Sequence, residues 1–419
     1  MLRSFVALPV SRAARLLAVL ACFSALGVNA AAQQPGANRQ PRTTQPRATQ
    51  PRTTQPRANP QDQGEPTPAE QEPTDITKTG RDMINKVAFA KTKTAGSMRD
   101  YTEVIEICQR GLQAGVDKNT ADYAAKLMAW AHNRRGETML RSVSPKATPE
   151  ELAKVDQQSL AEFEAAINLD AACWRAYHNR GVSLAQMRDF DGALKDFDKA
   201  IELNPGHADA WFNRGELKFG QRRYDDAIAD YNQALRLNPN DAAAYSSRGH
   251  AKWGARQHPS AVEDYDRAIR LNPKNALAYT HRGLAYTEQG LYDRAAVDYR
   301  KAMELDPNLG AALQGAAWLM ATCPDERFRD TKKAVEAASK ALQIDGWNDY
   351  RYIDTLAAAY ASAGRFDDAQ STMKEAIKHA PQENADILRE LSERMALYEQ
   401  GKAYRDSARV TLRGTPARR

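Results

Sequence analysis

The chain has 419 residues, enough for two ordinary domains or one long solenoid. Its formal charge is +6, but residues 1–80 hold nine Lys/Arg against five Asp/Glu and so carry +4 of it. The remainder is nearly neutral, so the basic balance gives no ground for a nucleic-acid partner.

The first residues have the order of a secretory signal. Arg3, Arg12 and Arg15 lead, Leu16 to Val28 is an apolar run too short to span a bilayer, and small residues at Val28-Asn29-Ala30 or Ala30 to Ala32 offer a cleavage site. This predicts a signal peptide over residues 1–32 and an exported chain, periplasmic or extracellular at the cell envelope. Cys22, after Leu20-Ala21, offers a lipoprotein alternative, although Arg15 lies close before it and the apolar run continues through Phe23 and Leu26. No other segment is expected to cross a membrane.

Residues 33–76 are of low complexity. Gln-Pro-Arg-Thr-Thr and its variants recur every five residues from Gln40 to Asn59. Rich in Pro and almost without apolar side chains, the segment cannot bury a core and is expected to be a disordered, extended tether. It is either a spacer or an arginine-bearing contact for anionic envelope polymers, whose charge the acids from Asp62 to Asp75 partly offset.

Residues 77–171 carry a loose form of a pattern that becomes regular further on. Tyr101, Val104, Cys108 and Gly111 stand as Tyr224, Ala227, Tyr231 and Ala234 do later. Tyr123, Trp130 and Ala131 mark a further first helix. Ser159, Phe163, Ala166 and Ile167 mark its second, 34 residues before Ala193, Phe197, Ala200 and Ile201. About 20 extra residues lie between these helices, with a helix start at Thr148-Pro149-Glu150-Glu151. The insertion is expected to lengthen both helices into a protruding elbow.

From 172 to 309 the pattern is strict. Tyr177, Trp211, Tyr245 and Tyr279 are spaced by 34. So are Gly181, Gly215, Gly249 and Gly283, and likewise Ala193, Ala227, Ala261 and Ala295. Phe197, Tyr231, Tyr265 and Tyr299 follow the same step, as do Ala200, Ala234, Ala268 and Ala302. Pro205, Pro239, Pro273 and Pro307 close each block, because proline removes a helix donor and restricts the residue before it. Each block predicts two helices, the first pair over about Ala176–Met187 and Phe190–Leu203. Residues 310–383 hold two looser copies. In one, the stretch Cys323 to Asp330 widens the turn. The other is marked by Leu356, Tyr360, Gly364, Phe366, Ala369, Ala376 and Pro381. Residues 384–405 read as a capping helix and 406–419 as a disordered tail.

The order aromatic, Gly, Ala, aromatic, Ala, Pro at these spacings resembles the tetratricopeptide repeat, strongly over 171–307 and 350–381. The resemblance implies an all-α, right-handed superhelical solenoid of about eight helix pairs. First helices would line a concave groove that holds an extended peptide or a partner helix. The positions it places there are Arg175, His178, Asn179, Phe212, Asn213, Glu216, Phe219, Ser246, His250, Trp253, Thr280, His281 and Thr287, with Trp253 and Phe219 the least suited to water. Taken singly, each also reads as part of an ordinary solvated helix face. The paired Lys and Asn with which some members grip a C-terminal carboxylate are absent, since His178 and Val182, or Phe212 and Glu216, stand there.

Two polar ladders share the period. Arg180, Arg214, Arg248 and Arg282 precede the glycines, and Asp196, Asp230, Asp264 and Asp298 precede the second-helix rings. They are either bridges between the two helices of a repeat or a ligand-facing arginine strip. No catalytic constellation, cofactor motif or metal-ligand spacing stands out, and the seven histidines form no such set. Cys108 is expected to be a buried, inert thiol; any pairing among Cys108, Cys173 and Cys323 is left open. The sequence therefore predicts a non-enzymatic scaffold that binds a protein or peptide. The alternatives are an envelope-polymer binder using the tether and a self-assembling envelope component.

Overall fold

The computed structural model describes residues 75–144 and 146–406. The signal peptide, nearly all of the tether and the last residues of the tail lie outside them. Among the described residues the secondary structure is entirely helical, and it divides into two compact units.

The first unit holds α1 (Asp75–Asp82), α2 (Phe89–Thr92), α3 (Met98–Gln113), α4 (Lys118–Arg141) and α5 (Pro149–Leu169). A π-helical stretch, Met83–Ala88, joins α1 to α2 and buries Ile84 and Ala88. A capping box closes the start of α3: the Ser97 side chain accepts from the Asp100 N–H, and Asp100 reaches back to the Ser97 N–H. The expected insertion appears as length, since α4 has 24 residues and α5 has 21, against 13 or 14 in the regular helices that follow. Tyr101, Val104, Cys108, Tyr123 and Leu127 form its core, in which burial pushes the Cys108 thiol up to about 12.

The second unit begins at Trp174. Its regular pairs are α6 (Trp174–Gln186) with α7 (Phe190–Leu203), α8 (Ala208–Gly220) with α9 (Tyr224–Leu237), α10 (Ala242–Gly254) with α11 (His258–Leu271), and α12 (Ala276–Glu288) with α13 (Tyr292–Leu305). Then come α14 (Gly310–Thr322), a 3-10 turn (Glu326–Phe328), α15 (Thr331–Asp345), α16 (Tyr350–Ser362), α17 (Phe366–His379) and α18 (Ala385–Glu399). The first helix of the regular array starts two residues before its expected position. The capping helix ends at Glu399, and residues 402–406, expected to be helix end and tail, are ordered without regular secondary structure. Cys108, Cys173 and Cys323 form no disulfide.

The period is enforced by one contact. Phe197, Tyr231, Tyr265 and Tyr299 are at most 2% exposed. Each ring lies on the glycine of its own first helix. A Cβ added at Gly181, Gly215, Gly249 or Gly283 would stand 2.9 Å from a ring carbon, closer than carbon atoms pack. The wholly buried alanines at 193, 227, 261 and 295 let the helices approach to that distance. Between paired helices the chain needs a left-handed residue. Gly290 and Gly364 supply it at φ +71° and +74°, whereas Arg188, Arg222 and Arg256 adopt +67°, +60° and +60°.

Gly249→Ala forces the Tyr265 ring off its seat. It should cost about 1–3 kcal/mol by denaturant unfolding, while Gly96→Ala, with no atom within 4 Å of the added Cβ, should stay within about 0.5 kcal/mol of the parent.

Candidate functional site on the first-helix face

The arginine ladder is a set of bridges between helices. Arg180, Arg214, Arg248 and Arg282 each donate through Nε and Nη2 to both carboxylate oxygens of Asp196, Asp230, Asp264 and Asp298. The Nε distances are 2.7, 2.9, 2.8 and 2.7 Å. These aspartates are at most 5% exposed. Each guanidinium also lies over the aromatic ring three residues earlier, at 4.8 Å for Arg214 on Trp211. The remaining Nη1 reaches the preceding repeat, from Arg248 to Asn232 at 2.7 Å and from Arg282 to Asp266 at 2.6 Å, with Arg214 reaching Asp198 likewise. One side chain thus joins two helices of its own repeat to a helix of the one before. The first unit repeats the device with a longer acid: Arg135, next to Gly136, donates from Nε and Nη2 to Glu162, next to Phe163, at 2.8 Å each.

The thirteen residues expected in the groove separate by exposure. His178, Asn179, Phe212, Asn213, Glu216 and Thr280 are less than 9% exposed and serve packing instead of open surface. Asn213 Nδ2 meets His178 Nε2 at 3.0 Å, and the His178 ring stands edge-on to His207 at 4.6 Å. Glu216 accepts a 2.6 Å hydrogen bond from the Tyr231 hydroxyl, and burial raises its pKa. Thr280 turns its hydroxyl back to the Ala276 carbonyl. The covering comes from the neighbouring first helix where His178 meets Asn213, and from the paired second helix where Phe212 and Glu216 meet Tyr231.

Arg175, Phe219, Ser246, His250, Trp253, His281 and Thr287 remain partly exposed. Arg175 lies over Trp174 at 4.2 Å, and Thr287 bonds the Gly283 carbonyl and the Tyr299 hydroxyl. The other rings gather. Phe219 of α8 is 4.8 Å from His250 of α10, which is 5.9 Å from Trp253 and 4.3 Å from His281 of α12. The indole Nε1 of Trp253 and Nδ1 of His281 have no hydrogen-bond partner among the described residues. Burial, with the field of Arg351, lowers His250 to about 4; burial, with His250 beside it, holds His281 well below 6.5. Both rings are therefore neutral near pH 7 and add apolar faces to the cluster. Arg351, which sequence reasoning passed over, is held in place by Asp349, whose Oδ1 accepts from Nε at 3.0 Å. A separate cleft of about 540 Å3, lined by Pro205, Trp211, Gln233, Arg236 and Leu237, shares no residue with this face.

The tetratricopeptide repeat family model matches residues 178–242 and 247–309, where the ring-on-glycine contacts recur. Residues 178–242 and 247–309 thus carry tetratricopeptide repeats. No curated protein matches it. Among solved structures it is similar to a tetratricopeptide repeat protein from Parabacteroides merdae at 15% identity and TM-score 0.48, covering 65% of this chain and 98% of that one. YrrB, described as a TPR protein with an unusual peptide-binding site, is 18% identical with a TM-score of 0.41, over 52% of this chain and 97% of that one. MamA is 24% identical with a TM-score of 0.36, over 37% and 91%. At these scores the likenesses bear on neither ligand nor location.

Arg214→Met deprives Asp230 of its bidentate partner and leaves it Lys218 alone. It should cost about 2–3 kcal/mol by chemical denaturation and leave ligand binding on the first-helix face unchanged. His281→Phe keeps the ring and loses no hydrogen bond that the described residues make at Nδ1. The unfolded state binds protons below pH 6.5 that folded His281 refuses, so stability falls as pH drops through that value. Relative to the variant, the parent should lose up to about 1.4 kcal/mol per pH unit as pH falls below 6.5, and nothing above pH 7. Paired denaturation series across that range check it.

Proposed function

We propose that this protein is a non-enzymatic scaffold at the cell envelope, and that it holds an extended peptide or partner segment on its first-helix face. The coarse part is general to the fold, which is consistent with a protein–protein interaction scaffold. The finer part rests on one observation. Phe219, His250, Trp253 and His281 bring four rings together across three successive first helices and keep them partly exposed. Such a patch loses water favourably when an apolar side chain covers it. Repeats that are already folded lose little further entropy on binding. Export is proposed from the basic lead and apolar run of residues 1–32, and sequencing the N-terminus of the mature chain tests it. Among the described residues no helix is long and apolar enough to cross a membrane.

A displayed library of random peptides gives a direct test. Selected peptides should bind Phe219→Ala/Trp253→Ala at least about tenfold more weakly, a loss of about 1.4 kcal/mol or more, while thermal unfolding confirms that the variant is folded. Equal affinity for both chains sinks the assignment. Deleting residues 33–76 should leave this binding intact at every salt concentration. Binding lost on that deletion, and steeply weakened by salt, would instead support a polymer-binding tether.

A further inference from the structure

The chain turns back after its last helix. α18 ends at Glu399, Gly401 takes φ +66°, and residues 402–406 lie against α14 and α18. Trp318 of α14 stands 34 residues after Leu284 and 68 after His250, so it holds in its own repeat the place they hold on the first-helix face. The returning segment covers it. The Tyr404 ring is 5.9 Å from Trp318, and Arg394 lies over both, at 5.7 Å from Trp318 and 5.4 Å from Tyr404. Arg394 is fixed in turn by Asp354 at 2.9 Å. Asp406 Oδ2 accepts from the Trp318 indole at 2.9 Å, and the Asp406 N–H donates to the Thr322 carbonyl at 2.9 Å. Arg405 Nη1 donates to the Ala321 carbonyl at 3.0 Å. Ala321 and Thr322 end α14, so their carbonyls have no partner further along the helix and are open to an incoming chain.

These contacts have the form of a bound peptide: one aromatic ring on an indole, one carboxylate on the indole N–H, one main-chain bond from Asp406 to Thr322, and one guanidinium on the Ala321 carbonyl. The segment sits on the surface. Lys402 and Arg405 are exposed, Tyr404 and Asp406 are only partly covered, and Ala403 and Tyr404 pack on the outside of the core that buries Leu391 and Tyr398 of α18. Arg405 also feels the like charge of Arg329. We infer that the Trp318–Arg394–Thr322 surface is a receptor for a partner segment with an aromatic side chain two residues ahead of a carboxylate. Tyr404–Asp406 fill it in cis, and a partner must displace them. This extends the peptide-binding reading of the first-helix face to a second place on it. The test does not involve Phe219 or Trp253, so the two readings fail separately.

A fluorescein-labelled, capped peptide of residues 400–406 is titrated into the full-length chain and into full-length Tyr404→Ala/Asp406→Asn, with anisotropy as the readout. A tethered ligand competes at an effective concentration in the millimolar range. The double variant should therefore bind the peptide saturably, and the unchanged chain at least about tenfold more weakly. The same two substitutions in the peptide should abolish binding. No binding by a folded double variant, equal binding by both chains, or equal binding of the substituted peptide overturns the inference. If the variant does not fold, hydrogen exchange at the Asp406 amide of the unchanged chain decides. Faster exchange under excess peptide supports displacement, and unchanged exchange refutes it.

Discussion

A ring seated on a glycine sets the geometry of this protein. With hydrogen as the only side chain at 181, 215, 249 and 283, the two helices of a repeat close until the second-helix ring fills the space between them. That approach brings the arginine before each glycine within reach of the aspartate before each ring, so the polar bridge is a consequence of the apolar contact. The bridge in turn is well placed to pay its desolvation cost. Both carboxylate oxygens are satisfied, and the guanidinium is stacked on an aromatic face instead of standing alone in an apolar interior.

The same arrangement explains what the sequence could and could not reveal. The step of 34 and its residue classes were enough to place the regular helices, because each residue meets a partner at a fixed offset: Gly215 meets Tyr231, and Arg214 meets Asp230. The clamp in the first unit escaped notice although Arg135-Gly136 and Glu162-Phe163 spell it, because the longer α4 and α5 break the spacing that betrays it elsewhere. The dipeptides alone would have found it. The π-helical stretch at Met83–Ala88 has no comparable signal.

The candidate face was only half legible. Helix periodicity identifies which residues share a side, and Phe219, His250 and Trp253, which it puts on one face, lie near one another. It cannot tell which of them a neighbouring first helix covers. His178 and Asn213 were expected to meet solvent and instead meet each other. The returning segment was missed for a different reason. Gly401-Lys402-Ala403-Tyr404 carries no periodicity, and its order comes from Trp318, more than 80 residues away in sequence.

The third nitrogen of Arg214, Arg248 and Arg282 ties a repeat to its predecessor, and this linkage has an end. Ala316, the residue 34 after Arg282, has no guanidinium to reach back with. Neighbouring blocks bound by shared ionic rivets tend to melt as one, because losing one strips its neighbour of a partner. Heat or denaturant acting on the central blocks would then meet a single cooperative body. At the junction near Pro307 the rivets run out, and apolar packing of Tyr286 and Tyr299 with Ala316 and Leu319 takes over the joint.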